Sequence, residues 1–293
     1  MQEKLIALIF NILSVLVRLL PSFFLAPLGK LLGWSGHKFI AGERERASQN
    51  IRRAEIADFT EEEKEEIIEK SFLHFGQFLL EFLQMPALKK SSFEEHFQLS
   101  GHNHLHTAYR RQQGVIIYTA HYGNWEWLGP ALVKLGYPVA AIAAEQQYLD
   151  DRINEIRKDL GLEVIKTGFS LRRAYKALED GKLLLVLGDQ HAGDSGLELE
   201  FFGRPASVYR GAVRLASKTG AALLPVFIGR QDYASFSINI KPEVKLPQEL
   251  TPGREREILK KLLEITEKEI IANPEQWNWF YRRWKLADRR LEE

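Results

Sequence analysis

The sequence predicts an α/β protein, a mostly parallel helix-covered sheet with a helical N-terminal part that associates with a membrane. Three observations carry this. From Gly114 to Ile240, short apolar runs bounded by glycine alternate with amphipathic stretches at the spacing of β-α-β units. Residues 41–90 follow a helical rather than a strand period. The first thirty residues are far more apolar than the rest. The chain has 293 residues, 45% hydrophobic and 27% charged, which is ordinary for a folded protein. We read residues 1–30 as an anchor and 31–293 as one α/β domain. That domain is helical over 31–90, holds its sheet in 100–245, and ends in a helix and a basic-aromatic tail over 250–293.

Residues 5–17 are an apolar run broken by Asn11 and Ser14. At about 1.5 Å per helical residue this falls short of a ~30 Å hydrocarbon core. The expectation is an interfacial or half-inserted helix, with Lys4, Arg18 and Lys30 reaching for head groups. A spanning helix, a cleaved leader and a core helix capping a soluble domain stand as alternatives. Thr60 and Glu63 form a capping box before the run Ile67, Ile68, Phe72, Phe75, Phe78, Leu79 and Phe82, which Pro86 ends. This aromatic stripe reads as core or as the wall of a lipid-facing groove. Strands are expected over 114–120, 137–143, 162–166, 182–187 and 221–228, and helices over 124–135, 149–160, 170–178 and 208–219. Alternation over 233–240 suggests an antiparallel edge strand. Thr251-Pro252 opens a last helix that runs to Asn273-Pro274.

Composition excludes several functions. With no cysteine there is no disulfide, thiol nucleophile, Cys-ligated zinc or iron–sulfur cluster. A net charge of +1 argues against a dedicated nucleic-acid binder. The sharpest motif is His121-Tyr-Gly-Asn-Trp-Glu126. His121 lies just past a buried strand and Glu126 in the first turns of the next helix, at the sheet edge where open α/β folds bind ligands. A histidine there can act as general base, and a carboxylate five residues on can turn back to its ring. The Gly123 backbone and the helix start can supply N–H donors to an oxyanion. The alternative is a pair that merely caps a βα turn. Asp189-Gln190 ends another buried strand at the same edge. The Gly-rich, aromatic stretch that follows, through Phe201-Phe202-Gly203 and Arg204-Pro205, can shape an acyl-chain entrance or be an ordinary connection.

In the tail, Arg282, Arg283, Lys285, Arg289 and Arg290 mix with Trp277, Trp279, Tyr281 and Trp284. The mixture suits a membrane interface or anionic head group. An acidic carrier protein, RNA stacking, or a solvated helix end with core aromatics also fit it. Gly193-Asp-Ser-Gly196 is read as a turn, and no G-x-S-x-G elbow is present. His102, His104 and His106 lack a carboxylate or cysteine to complete a metal set, so a polar loop is expected.

The ordered set His121-x4-Glu126, Asp189-Gln190 and Phe201-Phe202-Gly203 resembles the lysophospholipid acyltransferase superfamily. More narrowly it resembles the bacterial lipid A late (lauroyl/myristoyl) acyltransferases. The basic stretch 44–50 ending in Asn50, the Arg214-Leu-Ala216 to Pro225 and Arg230 stretch, and Pro274-Glu-Gln-Trp-Asn-Trp279 with Arg282-Arg283-Trp284-Lys285 support the narrower likeness. It implies an enzyme on the cytoplasmic face of a bacterial inner membrane. Such an enzyme moves a fatty acyl group from an acyl-carrier-protein thioester to a glycolipid hydroxyl, with no metal or redox cofactor. Acyl carrier protein, the glycolipid acceptor and membrane lipids are the implied partners, and nucleic acid is not one. His121 then matches the base and Glu126 its acidic partner. The expected substrate-binding residues are Asn124, Arg157, Asp189, Gln190, Arg210 and Arg230. His191 stands where relatives often carry an acid. Tyr209 and Arg210 replace small residues of the best-known lipid A enzymes, so another glycolipid, such as a phosphatidylinositol mannoside, is an open acceptor. Two alternatives stand. One is a glycerol-phosphate or lysophosphatidate acyltransferase, whose relatives usually carry Asp at position 126 and a Gly-Thr/Ser-Arg block absent here. The other is a non-catalytic membrane scaffold.

Overall fold

The structure, a computed structural model, describes residues 2–56, 59–143, 149–166 and 170–285. The N-terminal part is helical: α1 (Gln2–Leu19), α2 (Ser22–Phe39), α3 (Ala41–Arg53) and α4 (Glu61–Gln84). Thr60 Oγ1 accepts from the Glu63 N–H at 3.2 Å, and the Glu63 carboxylate accepts from the Thr60 N–H at 2.7 Å, which is the expected capping box. Pro86 sits in the 3₁₀ turn that ends this helix. Gly29 and Gly33 of α2 lie against Gly76 of α4, so the two backbones touch. A Cβ on Gly33 would come within 2.5 Å of Leu73 Cα, and one on Gly76 within 2.8 Å of Gly33 Cα.

One face of α1 packs on α4, where Phe10 and Phe82 meet at 5.9 Å and Ser14 Oγ donates to the Leu83 carbonyl at 2.6 Å. The remaining apolar surface of α1 and α2 is bare: Leu16, Leu19, Phe23, Phe24 and Phe39 are each more than half exposed. Arg18 and Lys30 are exposed as well, and the Lys4 side chain lies outside the described residues. Among the described residues, no helix is long and apolar enough to cross a membrane.

The rest of the chain supplies β1 (Phe97–Ser100), α5 (His102–Tyr109), β2 (Val115–Thr119), α6 (Trp125–Lys134), β3 (Val139–Ala143), α7 (Asp150–Asp159), β4 (Leu162–Lys166), α8 (Ser170–Glu179), β5 (Leu183–Leu187), β6 (Leu197–Phe201), β7 (Arg204–Val208), α9 (Gly211–Thr219), β8 (Ala222–Asp232), β9 (Ser235–Ile240) and α10 (Pro252–Ala272). Seven strands form one sheet in the order β1-β9-β8-β2-β5-β3-β4, parallel throughout except for β8 against β9. Successive residues of a strand face opposite ways, so the sheet has two cores. Ile116, Tyr118 and Leu184 pack under α8, α9 and α10, whereas Val115, Ile117 and Leu185 pack under α5 and α6. Buried on both faces, these strands are continuous apolar runs, which is why they were readable.

Four expectations need correction. The helix expected over 208–219 begins only at Gly211, because 204–208 is the second strand of the β6–β7 hairpin. The tight turn of that hairpin places Phe202 and Gly203 at φ 51° and 70°. β9 is antiparallel as expected but not an edge, since the four-residue β1 pairs outside it. The 102–106 stretch is helix α5, where His102 Nε2 meets the Tyr137 hydroxyl at 3.0 Å. The tail is not an interfacial strip. Trp277, Trp279, Trp284 and Arg283 are all buried, and the indoles donate to Asp189, the Pro274 carbonyl and the Phe201 carbonyl respectively. Once its N–H is bonded, an indole gains more from burial than from exposure. Arg289 and Arg290 lie outside the described residues.

Candidate active site

β2 and β5 are parallel neighbours in a register that pairs Thr119 with Leu187. Two residues beyond each strand, at the same sheet edge, stand His121 and Asp189. Asp189 Oδ1 accepts from His121 Nδ1 at 2.8 Å. Its Oδ2 accepts from the His121 backbone N–H and the Trp277 indole N–H, each at 2.8 Å. Burial alone would raise the Asp189 pKa, but the His121 charge and these hydrogen bonds hold it below the usual carboxylate value. An ionised carboxylate only accepts, so Nδ1 carries a proton, and in the neutral imidazole the Nε2 lone pair then faces outward. The Gln190 amide donates to that lone pair at 3.2 Å. Trp125 stands edge-on to the ring at 5.1 Å.

This geometry corrects the expected pairing. Glu126 does not turn back to the imidazole. Its carboxylate is gripped by both forks of Arg157 of α7, at 2.7 and 3.1 Å, and Arg157 also reaches Asn154 at 3.0 Å. Both side chains of the pair are about nine-tenths buried, and a planar guanidinium matches a carboxylate better than one imidazole nitrogen does. The place beside the ring belongs to Asp189 through the β2–β5 register. Arg157 therefore lies in the site as expected, although both its forks are engaged.

Two cavities meet at the ring. One, of about 390 Å³, lies between α4 and α6 and is walled by Phe78, Leu79, Phe82 and Trp125, with Glu126 and Arg157 as its charged patch. The other, of about 340 Å³, lies on the opposite face and is walled by Tyr118, Ala174, Val186, Tyr209 and Leu215. His121, Ile142, Leu187 and Gln190 line both.

Three expected substrate-binding residues are elsewhere. Asn124 is fully buried and donates to Glu81 Oε2 at 2.8 Å. Arg230 is buried and ion-paired with Glu81, and its Nε donates to His74 Nδ1 at 3.2 Å. Arg210 pairs with Glu255, which Arg214 shares at 2.7 Å. The Gly123 N–H is also occupied, donating to the Gln276 carbonyl at 2.9 Å, so it is no oxyanion donor. Gly123 itself is required. Its φ is +60°, and a Cβ would come within 2.8 Å of the Ile228 carbonyl carbon. The sequence reading missed Trp277, Gln276, His74 and Glu81. The first two lie in the tail stretch 274–279, and the last two in a helix whose aromatic stripe reads as core or as a groove wall.

The profile of bacterial lipid A biosynthesis acyltransferases matches residues 1–286. The chain belongs to this family. It is 26% identical over 270 residues to the lipid A biosynthesis palmitoleoyltransferase of Escherichia coli, a match covering 91% of this chain and 86% of that one. It is 25% identical over 225 residues to the phosphatidylinositol mannoside acyltransferase of Mycobacterium tuberculosis, covering 73% and 68%. The solved 1-acyl-sn-glycerophosphate acyltransferase PlsC of Thermotoga maritima overlays at a TM-score of 0.42 with 15% identity, over 86% of this chain and 98% of that one. The family and the names of these sequence relatives make the protein an acyltransferase.

Proposed function

We propose that the protein transfers a fatty acyl group from an acyl-carrier-protein thioester to a hydroxyl of a glycolipid, at the cytoplasmic face of a bacterial inner membrane. The observation that carries this is the His121–Asp189 pair at the junction of two largely apolar cavities. In the proposed reaction the acceptor hydroxyl displaces Gln190 from Nε2 and gives its proton to that nitrogen. The alkoxide oxygen attacks the thioester carbonyl, and Asp189 stabilises the imidazolium as it forms. The tetrahedral oxyanion meets the first N–H groups of α6 and the positive end of its dipole. The C–S bond then breaks, and the leaving thiolate takes the proton from Nε2, so an ester and a free thiol result. General-base assistance contributes about 10²–10⁴-fold and an oxyanion donor about 10²–10³-fold. No acyl-enzyme and no cofactor enters the scheme.

The bare apolar face of α1 and α2 is the membrane contact in this reading, lying in the interface with Arg18 and Lys30 at head-group level. The acceptor is a glycolipid of the kind named for the relatives, a lipid A precursor or a phosphatidylinositol mannoside. Mass spectrometry of host lipids tests the reaction. A glycolipid should gain one acyl mass with wild type and not with His121→Ala. A folded His121→Ala protein that still produces the acylated species overturns the mechanism.

A further inference from the structure

Beneath the catalytic turn lies a buried polar network that the proposed chemistry leaves unused. Its hub is Glu81 on α4, fully buried. The Glu81 carboxylate accepts from the Arg230 guanidinium, from the Ala234 N–H at 3.0 Å and from the Asn124 amide at 2.8 Å. Its backbone carbonyl accepts from the Trp127 indole at 3.1 Å. Two turns earlier on α4, His74 bridges Arg230 and the catalytic turn. Arg230 can only donate, so His74 Nδ1 is its acceptor at 3.2 Å. His74 Nε2–H therefore donates to the Gly123 carbonyl at 3.2 Å. Burial first, and then the Arg230 charge, push the His74 pKa far below its usual value, which keeps the ring neutral and this direction of bonding fixed.

We propose that Glu81, His74 and Arg230 are positioning residues for the reaction, holding the turn from His121 to Asn124 in its reactive geometry. This inference rests on the reading of His121 as the base. The network grips that turn at two places, the Gly123 carbonyl and the Asn124 side chain. Gln276 grips it at a third, accepting from the Gly123 N–H while bonding the Arg230 backbone at 2.6 and 3.0 Å. Because a trans peptide is planar, fixing the Gly123 carbonyl toward His74 aims the Asn124 N–H the opposite way. That N–H belongs to the residue that caps α6, at the helix start where the oxyanion is proposed to develop. The same helix that carries Glu81 and His74 also lays Phe78, Leu79 and Phe82 along the cavity, so one element sets both the cavity wall and the catalytic turn. Buried groups of this kind are costly unless bonded, and two of this set's bonds go to the catalytic turn.

The test compares wild type, Glu81→Gln, His74→Gln, His74→Leu and His121→Ala, each purified with detergent or lipid. Initial rates are measured with an acyl thioester and a glycolipid acceptor, together with the melting temperature and the ¹⁵N spectrum of His121. Glu81→Gln keeps the shape but loses the charge, and should lower kcat by about 10–100-fold with KM little changed. It should also shift the His121 Nδ1 resonance. His74→Gln, whose amide can still reach the Gly123 carbonyl, should retain more kcat than His74→Leu. If folded Glu81→Gln and His74→Leu keep the wild-type kcat and His121 spectrum while His121→Ala is inactive, the positioning role is overturned. Activity remaining in His121→Ala instead strikes at the reading of the base. Should Glu81→Gln fail to fold, the His74 pair decides alone: equal kcat for the two variants refutes the inference.

Discussion

Replacing Asp189 with Asn separates the observed acid–histidine pairing from the one that the motif alone suggests. Asp189 takes three N–H donors at 2.8 Å through two oxygens. Asn offers one carbonyl oxygen and an NH₂, so whichever way it turns, one donor set meets another donor. If the amide oxygen stays with the backbone N–H and Trp277, the NH₂ faces His121 Nδ1 and favours the tautomer with its proton on Nε2. That form has no lone pair on Nε2, the nitrogen that faces the substrate. In enzymes where Asp orients His, this substitution costs about 10⁴ in kcat. Losing one charge-assisted buried hydrogen bond adds about 1.5–3 kcal/mol of instability. Acyl-transfer rates measured alongside thermal unfolding should therefore show a large loss of kcat in a protein that still melts cooperatively. Glu126→Gln is the matched comparison. It weakens the Arg157 pair in the cavity but leaves the imidazole bonded to Asp189, so its effect should be smaller on kcat and larger on KM. Near-normal turnover by Asp189→Asn, with collapse of kcat in Glu126→Gln, would refute the argument and restore Glu126 as the partner of the ring.

Three further outcomes follow from packing and charge. Gly76→Ala should destabilise by about 1–3 kcal/mol, because its methyl meets the α2 backbone, whereas Gly42→Ala in α3 meets nothing and should stabilise by up to about 1 kcal/mol; urea unfolding of the two variants checks this. His74, buried against Arg230 and the Gly123 carbonyl, stays neutral when folded but titrates near 6.5 when unfolded, so the unfolded chain binds the extra proton and stability falls as pH drops below 6.5. In His74→Gln that component, at most about 1.4 kcal/mol per pH unit, should be missing from unfolding measured between pH 7.5 and 5. Phe23→Glu with Leu16→Glu should weaken binding to phosphatidylglycerol vesicles at least tenfold, since each exposed side chain forfeits about 1.5–3 kcal/mol of burial. Unchanged sedimentation with vesicles would remove this face from the membrane contact.

What could be read from the sequence, and what could not, follows from the range of the interactions. The parallel strands announce themselves because burial on both faces leaves no polar alternation, and that placed His121 and Asp189 at the same edge. Their contact was hidden because it depends on strand order: β3 and β4 intervene in sequence, yet β5 inserts beside β2. Glu126 was chosen for its nearness along the chain, but its partner is Arg157, thirty-one residues away on α7. Hairpin β6–β7 was missed because Pro205 and the non-glycine φ of Phe202 give no standard turn signal. The tail tryptophans looked interfacial because aromatic–basic mixing is the same in a membrane belt and in a core. Only the placement of their indole N–H groups distinguishes the two.

The sheet also explains why one histidine meets two cavities. Residues 141 and 185 line the cavity under α4 and α6, and 118 and 186 the one under α8 and α9. The alternation of the strands thus sends neighbouring residues to opposite cavities. Ile142 and Leu187, near the ends of β3 and β5, border both, and so do His121 and Gln190 beyond the strand ends, where the pleat stops. The proposed transfer joins two long apolar molecules at one atom pair. A base in the middle of a strand would face one side of the sheet alone. A base two residues past β2 faces both, and Asp189, two residues past β5, fixes its orientation without entering either route.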